Sequence, residues 1–150
     1  MKKSGANAVF QGSNALTLDA KGRISIPTRH RDALLQQANG SLTLTRHPDG
    51  CLLVYPRSVW EARREEIVRF PMSARGLQRL LLGHAQDVDM DSAGRVLVAP
   101  ELRAAAGMDR DVMLMGMGSH FELWDADKLA KSEAQAMADG VGDVLNNFSF

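Results

Sequence analysis

The pentapeptide Asp19-Ala20-Lys21-Gly22-Arg23 recurs as Asp91-Ser92-Ala93-Gly94-Arg95. Each copy combines a carboxylate that can accept from turn amides, a glycine free to take positive φ, and an arginine leaving the turn immediately afterwards. The aspartate and the glycine serve the turn itself. The arginine is either a solvated edge charge or a contact for an anionic partner, and its duplication favours the contact. For DNA the chemistry is direct: a two-stranded ribbon fits the major groove, and arginine can donate two bonds to guanine O6 and N7. Lys21, Arg29 and Arg31 could then hold phosphates, supplying salt-dependent affinity while base-edge contacts supply discrimination. The two tips are unequal, because Ala93 stands where Lys21 does. So small a footprint is weak alone and becomes tight when several copies meet several copies of a short DNA repeat.

Other chemistry finds little support. His30, His47, His84 and His120 show no pairing at helical or zinc-finger spacing, so each reads as a surface or core residue and no metal is assigned. Neither a glycine-rich phosphate loop nor a nucleophile elbow occurs. Asp87, Asp89 and Asp91 alternate as at the start of a calcium loop, but the later glycine and glutamate are misplaced; they read as the outer face of a strand. Met113, Met115 and Met117 alternate too, which suits packing or a subunit interface better than a ligand stripe. The expectation is a binding protein with no catalytic residues, no cofactor and no small-molecule substrate.

The elements that must position the arginines follow from periodicity. Leu16, Leu18, Ile24 and Ile26 flank the first pentapeptide, and Val88, Met90, Val96 and Val98 flank the second at the same offsets, the period-2 signature of half-buried strands. Each copy therefore reads as a hairpin with its arginine just past the tip. Pro27 should open a helix through Gln37 that Gly40 stops. A second hairpin should join Leu42–Thr45 to Cys51–Tyr55 through His47-Pro48-Asp49-Gly50. Ser58-Val59-Trp60-Glu61 has capping-box spacing for a helix to about Phe70, and Ser73 could cap another over Ala74–Leu82, ended by Gly83. The order then repeats: a hairpin around Gly94, a helix from Pro100 to Ala106, and strands Val112–Met115 and Phe121–Trp124. Arg95 to Pro100 is one residue longer than Arg23 to Pro27, which predicts a bulge or a shifted helix start in the second copy. Asp125 could cap a last helix to about Ala138, with a frayed end beyond Gly140.

With 150 residues, two repeats of half that size must share a core. Apolar residues at 45% and charged residues at 24% suit a soluble globular chain, and no run approaches the roughly 20 apolar residues of a membrane span. The start of the chain carries Lys2 and Lys3 without an apolar h-region and does not read as a secretory signal. Cys51, the single cysteine, lies in an apolar run and reads as a buried, inert thiol suited to a reducing cytoplasm. The formal net charge of zero conceals a division: residues 1–84 carry 13 Lys/Arg against 6 Asp/Glu, and residues 85–150 carry 5 against 12. That pattern is either ordinary drift of a solvated surface or the basis of head-to-tail association.

Phe10-Gln11-Gly12, Leu18–Arg23, Ile26-Pro27, Cys51–Pro56, Gln78–Ala85, Met90–Arg95 and Phe121–Asp125 together resemble the MraZ family, bacterial transcriptional regulators encoded at the head of the division and cell-wall gene cluster. The resemblance runs from about Val9 to Leu129. It implies an α+β fold, a tandem duplicated swapped-hairpin barrel of the AbrB-like class in which the halves of one chain build what two chains build in relatives. It divides the chain into an extension at 1–8, a first repeat at 9–57, linking helices at 58–84, a second repeat at 85–125 and a C-terminal helix and tail at 126–150, all in one intertwined unit. It also implies a nucleoid-associated, ring-shaped homo-oligomer that represses its own operon by binding tandem promoter repeats in double-stranded DNA, with Lys21, Gly22, Arg23 and Arg95 as contact residues. The rival reading is a protein-interaction scaffold or antitoxin-like module whose arginines meet an acidic partner.

Overall fold

The structure is a computed structural model, and it describes residues 8–150. The extension expected at 1–8 therefore lies outside the described residues except for Ala8, which packs against the core and donates its N–H to Gln37 Oε1. The first half comprises strands Ser13–Thr17 (β1) and Arg23–Ser25 (β2), helix Thr28–Ala38 (α1), strands Ser41–Arg46 (β3) and Leu52–Pro56 (β4), and helices Arg57–Ile67 (α2) and Arg75–Gly83 (α3). The second half repeats the order with Gln86–Asp89 (β5), Arg95–Leu97 (β6), Pro100–Ala105 (α4), Asp111–Gly116 (β7), Phe121–Asp125 (β8) and Ala126–Asp139 (α5). A 3-10 turn at Met72–Ala74 precedes α3, and another at Asp143–Asn147 lies in the exposed segment after α5.

The segments expected to be local hairpins around the two pentapeptides are not. β1 pairs antiparallel with β7, and β5 pairs with β3, so each outer strand leaves its own half and joins the other. β2 and β6 likewise pair only with each other, with Ile24 opposite Val96. The period-2 pattern marked the strands correctly; it carries no information about which strand supplies the partner. The result is a six-stranded sheet of order β1-β7-β8-β4-β3-β5 and a separate two-stranded ribbon of β2 and β6. The sheet is symmetric about its centre, where Leu53 of β4 faces Glu122 of β8. The interlocked α+β duplication is thus present, while the strand hydrogen bonds form an open sheet plus a ribbon and not one closed barrel.

Alternation along the central strands divides the core. Leu52 and Val54 of β4 and Phe121 and Leu123 of β8 point into a cluster that also holds Ile24, Ile26, Leu34, Leu42, Val96, Val98, Leu102 and Leu114. Both halves contribute, so neither has a core of its own. On the other face Leu53 and Tyr55 pack on Val59, Trp60 and Ile67 of α2, and Cys51 and Trp124 pack on Leu129 of α5. Met113 and Met115 are partly buried against that second group, as packing residues.

Three local expectations need correction. Ser58 is an exposed N2 residue and makes no cap bond, because Pro56 is the N-cap of α2; nor does Ser73 cap α3. The Pro56 ring fixes φ, and with ψ at 138° it already has the extended backbone of an N-cap, so α2 starts there and Ser58 falls inside it. The extra residue after Arg95 produces neither a bulge nor a shifted helix. α1 begins five residues after Arg23 and α4 five after Arg95; only the proline moves, from N-cap Pro27 to N1 Pro100. Asp125 does cap α5, accepting from the Lys128 amide at 3.2 Å.

Candidate nucleic-acid interface

At the first turn Asp19 Oδ1 accepts from the amides of Lys21 and Arg23, both at 2.9 Å, and Asp19 Oδ2 accepts from Arg23 Nε at 2.8 Å. The second turn repeats this geometry: Asp91 Oδ1 accepts from the amides of Ala93 (3.0 Å) and Arg95 (2.8 Å), and Oδ2 from Arg95 Nε at 2.9 Å. The backbone bond from the Arg23 amide acts most strongly to hold the Asp19 carboxyl below its ordinary range, with the Arg23 side chain adding to it against some desolvation; the Arg95 amide does the same for Asp91. Gly22 and Gly94 take φ of 82° and 80°, closing each turn where a side chain would be strained. Each arginine is thus held by one nitrogen. Among the described residues nothing accepts from the terminal Nη atoms of Arg23 or Arg95.

The ribbon places these two arginines together. Arg23 pairs with Leu97 and Ser25 with Arg95, so all four side chains share one face while Ile24 and Val96 fill the buried one. Arg23 and Arg95 are diagonal neighbours on that face, a relation within reach of long side chains. Two separate tips were expected from the sequence; the swap makes them one cationic surface. Lys21 is exposed at the first turn beside it.

Arg29 and Arg31, the candidate phosphate holders, lie in the first turn of α1 and are less free. Arg29 is exposed, but Nη2 donates to Asn14 Oδ1 at 2.9 Å and Nε to His30 Nε2 at 3.3 Å. Arg31 is half-buried, its Nε donating to the Ile26 carbonyl at 2.7 Å. The residue that sequence reading missed is Arg103. It stands 72 positions after Arg31, the spacing that separates Arg23 from Arg95, and its Nε donates to the Val98 carbonyl at 2.9 Å. The repeat offset would have found it. With Arg110, Asp19 and Asp109 it lines a groove of about 630 Å³ beside the first turn.

His30 and His120 are core or packing groups, whereas His47 is partly exposed at its turn and His84 is exposed. His30 is buried between Phe10 and Phe121, with ring centroids at 5.6 and 5.0 Å, and His120 stacks on Tyr55 at 4.7 Å. Burial above all pushes both below the usual imidazole range. Burial likewise pushes the Cys51 thiol up to about 12, so it stays protonated. Asp87 and Asp89 point outward from β5 and accept from Thr43 Oγ1 and Ser41 Oγ across the strand pair, each at 2.8 Å. Among the described residues no helix is long and apolar enough to cross a membrane.

Comparison with known proteins gives a consistent result. The chain matches a family described as "MraZ protein, putative antitoxin-like" over residues 9–80 and again over residues 81–142. It is 74% identical to the transcriptional regulator MraZ of Bordetella pertussis (strain Tohama I) over 142 residues, which is 95% of this chain and all of that protein. The same-named proteins of Herminiimonas arsenicoxydans and Ralstonia pickettii (strain 12J) are 66% and 61% identical with the same coverage. The duplicated pentapeptide, its interlocked ribbon and full-length identity of this order have one reading: the chain belongs to the MraZ family.

Proposed function

We propose that this protein is a sequence-specific DNA-binding transcriptional regulator that represses its own division and cell-wall operon by engaging tandem promoter repeats. The observation that carries the reading is the single solvent face on which Asp19 and Asp91 orient Arg23 and Arg95 with their terminal nitrogens unused. Those nitrogens present the fork that guanine O6 and N7 accept, and a two-stranded ribbon has the width of the major groove. Lys21 and Arg29 flank it as phosphate contacts. Gly22, a contact candidate from the sequence, is buried with its amide and carbonyl bonded to Asp19 and Val98, and Arg31, a phosphate candidate from the sequence, is half-buried on the Ile26 carbonyl; these two support the turns. The repeats at 9–57 and 85–125 build the surface, the helices at 58–84 link them, and of the segment 126–150 the start of α5 packs on the outer side of the sheet through Leu129. The names of the relatives at 61–74% identity support the regulatory role. The protein acts in the cytoplasm, on the nucleoid, without catalysis or cofactor.

Affinity comes from copies in this reading. The +7 balance of residues 1–84 and the −7 balance of residues 85–150 favour head-to-tail contacts that close into a ring, whose several ribbons meet several DNA repeats at high effective concentration. Light scattering across a salt series should show partial dissociation at 1 M, where the Debye length is about 3 Å; a monomer at every salt removes the ring. The deciding experiment is a salt-titrated binding measurement on the DNA upstream of the chain's own gene against a scrambled duplex. Tighter binding to the natural duplex at every salt is expected. Equal affinity would overturn sequence-specific regulation and favour the scaffold or antitoxin-like reading.

A further inference from the structure

Each DNA-facing turn is roofed by an arginine from the opposite half. A Cβ on Gly22 would lie 2.7 Å from Arg103 Cζ and 2.8 Å from its Nε and Nη2, and a Cβ on Gly94 would overlap the Arg31 guanidinium. Gly22 and Gly94 are consequently buried although their turns are at the surface. Arg31 and Arg103 occupy the same place in their helices, the fourth residue of each, and each anchors its Nε on the carbonyl five residues upstream, Ile26 and Val98. Those same two residues make the crossing backbone bonds: the Ile26 amide donates to the Gly94 carbonyl at 2.8 Å, and the Val98 amide to the Gly22 carbonyl at 2.9 Å. One residue pair in each half therefore grips the other half's turn twice, through the backbone and through a flat cation laid over its glycine.

We propose that Arg103 is the positioning residue for the Lys21-Gly22-Arg23 turn, and Arg31 for the Ala93-Gly94-Arg95 turn. The absence of Cβ at Gly22 and Gly94 then has two causes: the positive φ, and the room the guanidinium needs. A guanidinium suits this role because it is planar, permanently charged and pre-organised as a fork. The device couples the halves, since loosening one helix start releases the reading arginine of the other repeat. Its consequence for DNA rests on the function proposed above, while the positioning itself is measurable without DNA.

The test is hydrogen–deuterium exchange by mass spectrometry on the full-length assembly, comparing Arg103→Gln and Arg31→Gln with the parent. Arg103→Gln should speed exchange in Leu18–Arg23 and leave Met90–Arg95 at the parental rate; Arg31→Gln should do the reverse. Equal loosening of both turns, loosening of the turn in the variant's own half, or no change overturns the proposal. If a glutamine variant does not fold, the lysine variants keep charge and length but lose the planar fork, and must show the same crosswise pattern at smaller amplitude. A DNA arm separates this proposal from the function it rests on. Arg103→Gln should lose about tenfold of the preference for the natural duplex, with the slope of log affinity on log salt unchanged. A slope shallower by about 0.9 would mark Arg103 as a phosphate contact and overturn the positioning role. A crosswise exchange pattern in a parent protein that binds both duplexes equally would uphold the positioning and overturn only the DNA reading.

Discussion

Arg23 and Arg95 are oriented before any ligand arrives, because the Asp19 and Asp91 carboxylates each hold one Nε at 2.8–2.9 Å. Pre-orientation lowers the side-chain entropy lost on binding, which for a free arginine costs about 0.5–1.5 kcal/mol. Arg23→Ala should then lose a contact worth about 1–3 kcal/mol per engaged subunit, multiplied across the copies if the proposed ring forms, and the Arg23→Ala, Arg95→Ala double variant should fold normally and lose operator binding in a gel-shift assay. Retained affinity in that folded double variant would remove the ribbon from the binding model. His30 gives a second residue-scale prediction. Its imidazole is held below the usual range by burial first and the Arg29 charge second, so the unfolded chain, titrating near about 6.5, takes up the proton first as pH falls. Stability should therefore be independent of His30 above about pH 6.5 and decline below it towards the lower folded value. Urea midpoints measured between pH 7.5 and 5 should fall, and His30→Leu should flatten the curve in part, His120 keeping the remainder with the same sign; Asp19 and Asp91, also lowered, act only below about 3.8. At this scale the turn residues were legible because aspartate, glycine and arginine each have one local job in five residues. Arg103 was not, since its partner Gly22 lies 81 positions away and only the repeat offset connects them.

Helix starts show where local sequence rules decide and where a stronger constraint overrides them. Asp125 caps α5 with Oδ2 and also accepts the Asp109 amide on Oδ1 at 3.3 Å, tying the strand end to the approach to β7. Ser58 has the right type and spacing for a capping box, yet Pro56 already supplies the extended N-cap backbone and leaves the serine one position inside the helix proper. Asp125→Ala should therefore cost about 1 kcal/mol, whereas Ser58→Ala should stay within about 0.5 kcal/mol of the parent. Thermal or urea melts of the two variants measure the contrast, and a loss at Ser58 equal to that at Asp125 would mean the box forms in solution. The shifted proline teaches the same lesson from the other side. Pro27 and Pro100 occupy different cap positions, but the Ile26 and Val98 amides reach across to Gly94 and Gly22 at one fixed offset from their arginines. That crossing bond sets the helix start, and the proline tolerates either the N-cap or the N1 site.

Across the whole molecule the chain exchanges strands between its halves, and this exchange is what period-2 alternation could not reveal. Alternation reports that a strand has one buried face; it is silent on the partner, so β1 and β2 look like a hairpin until β7 and β6 are seen to take their hydrogen bonds. Only the small size of each half, and the resemblance to a swapped-hairpin family, pointed beyond the local pairing. The consequence for stability is specific. Residues 1–84 alone would leave β1 and β2 without partners and would expose Leu52 and Val54, which pack against Phe121 and Leu123 of the other half. Residues 85–150 alone would keep β7 paired with β8 but would strand β5 and β6. Small units bury a low fraction of their surface even when intact, and these would also carry unpaired strand edges that invite aggregation. The two segments expressed separately should accordingly be insoluble, or molten with dye-binding apolar surface and no cooperative melt. Mixing them during refolding should restore a cooperative transition, because the ribbon and the central β4–β8 pair can form between chains as readily as within one. Cooperative melting of either segment as a monomer would show that its half closes its own core, and the interlocked sheet would then be a late docking of two autonomous folds.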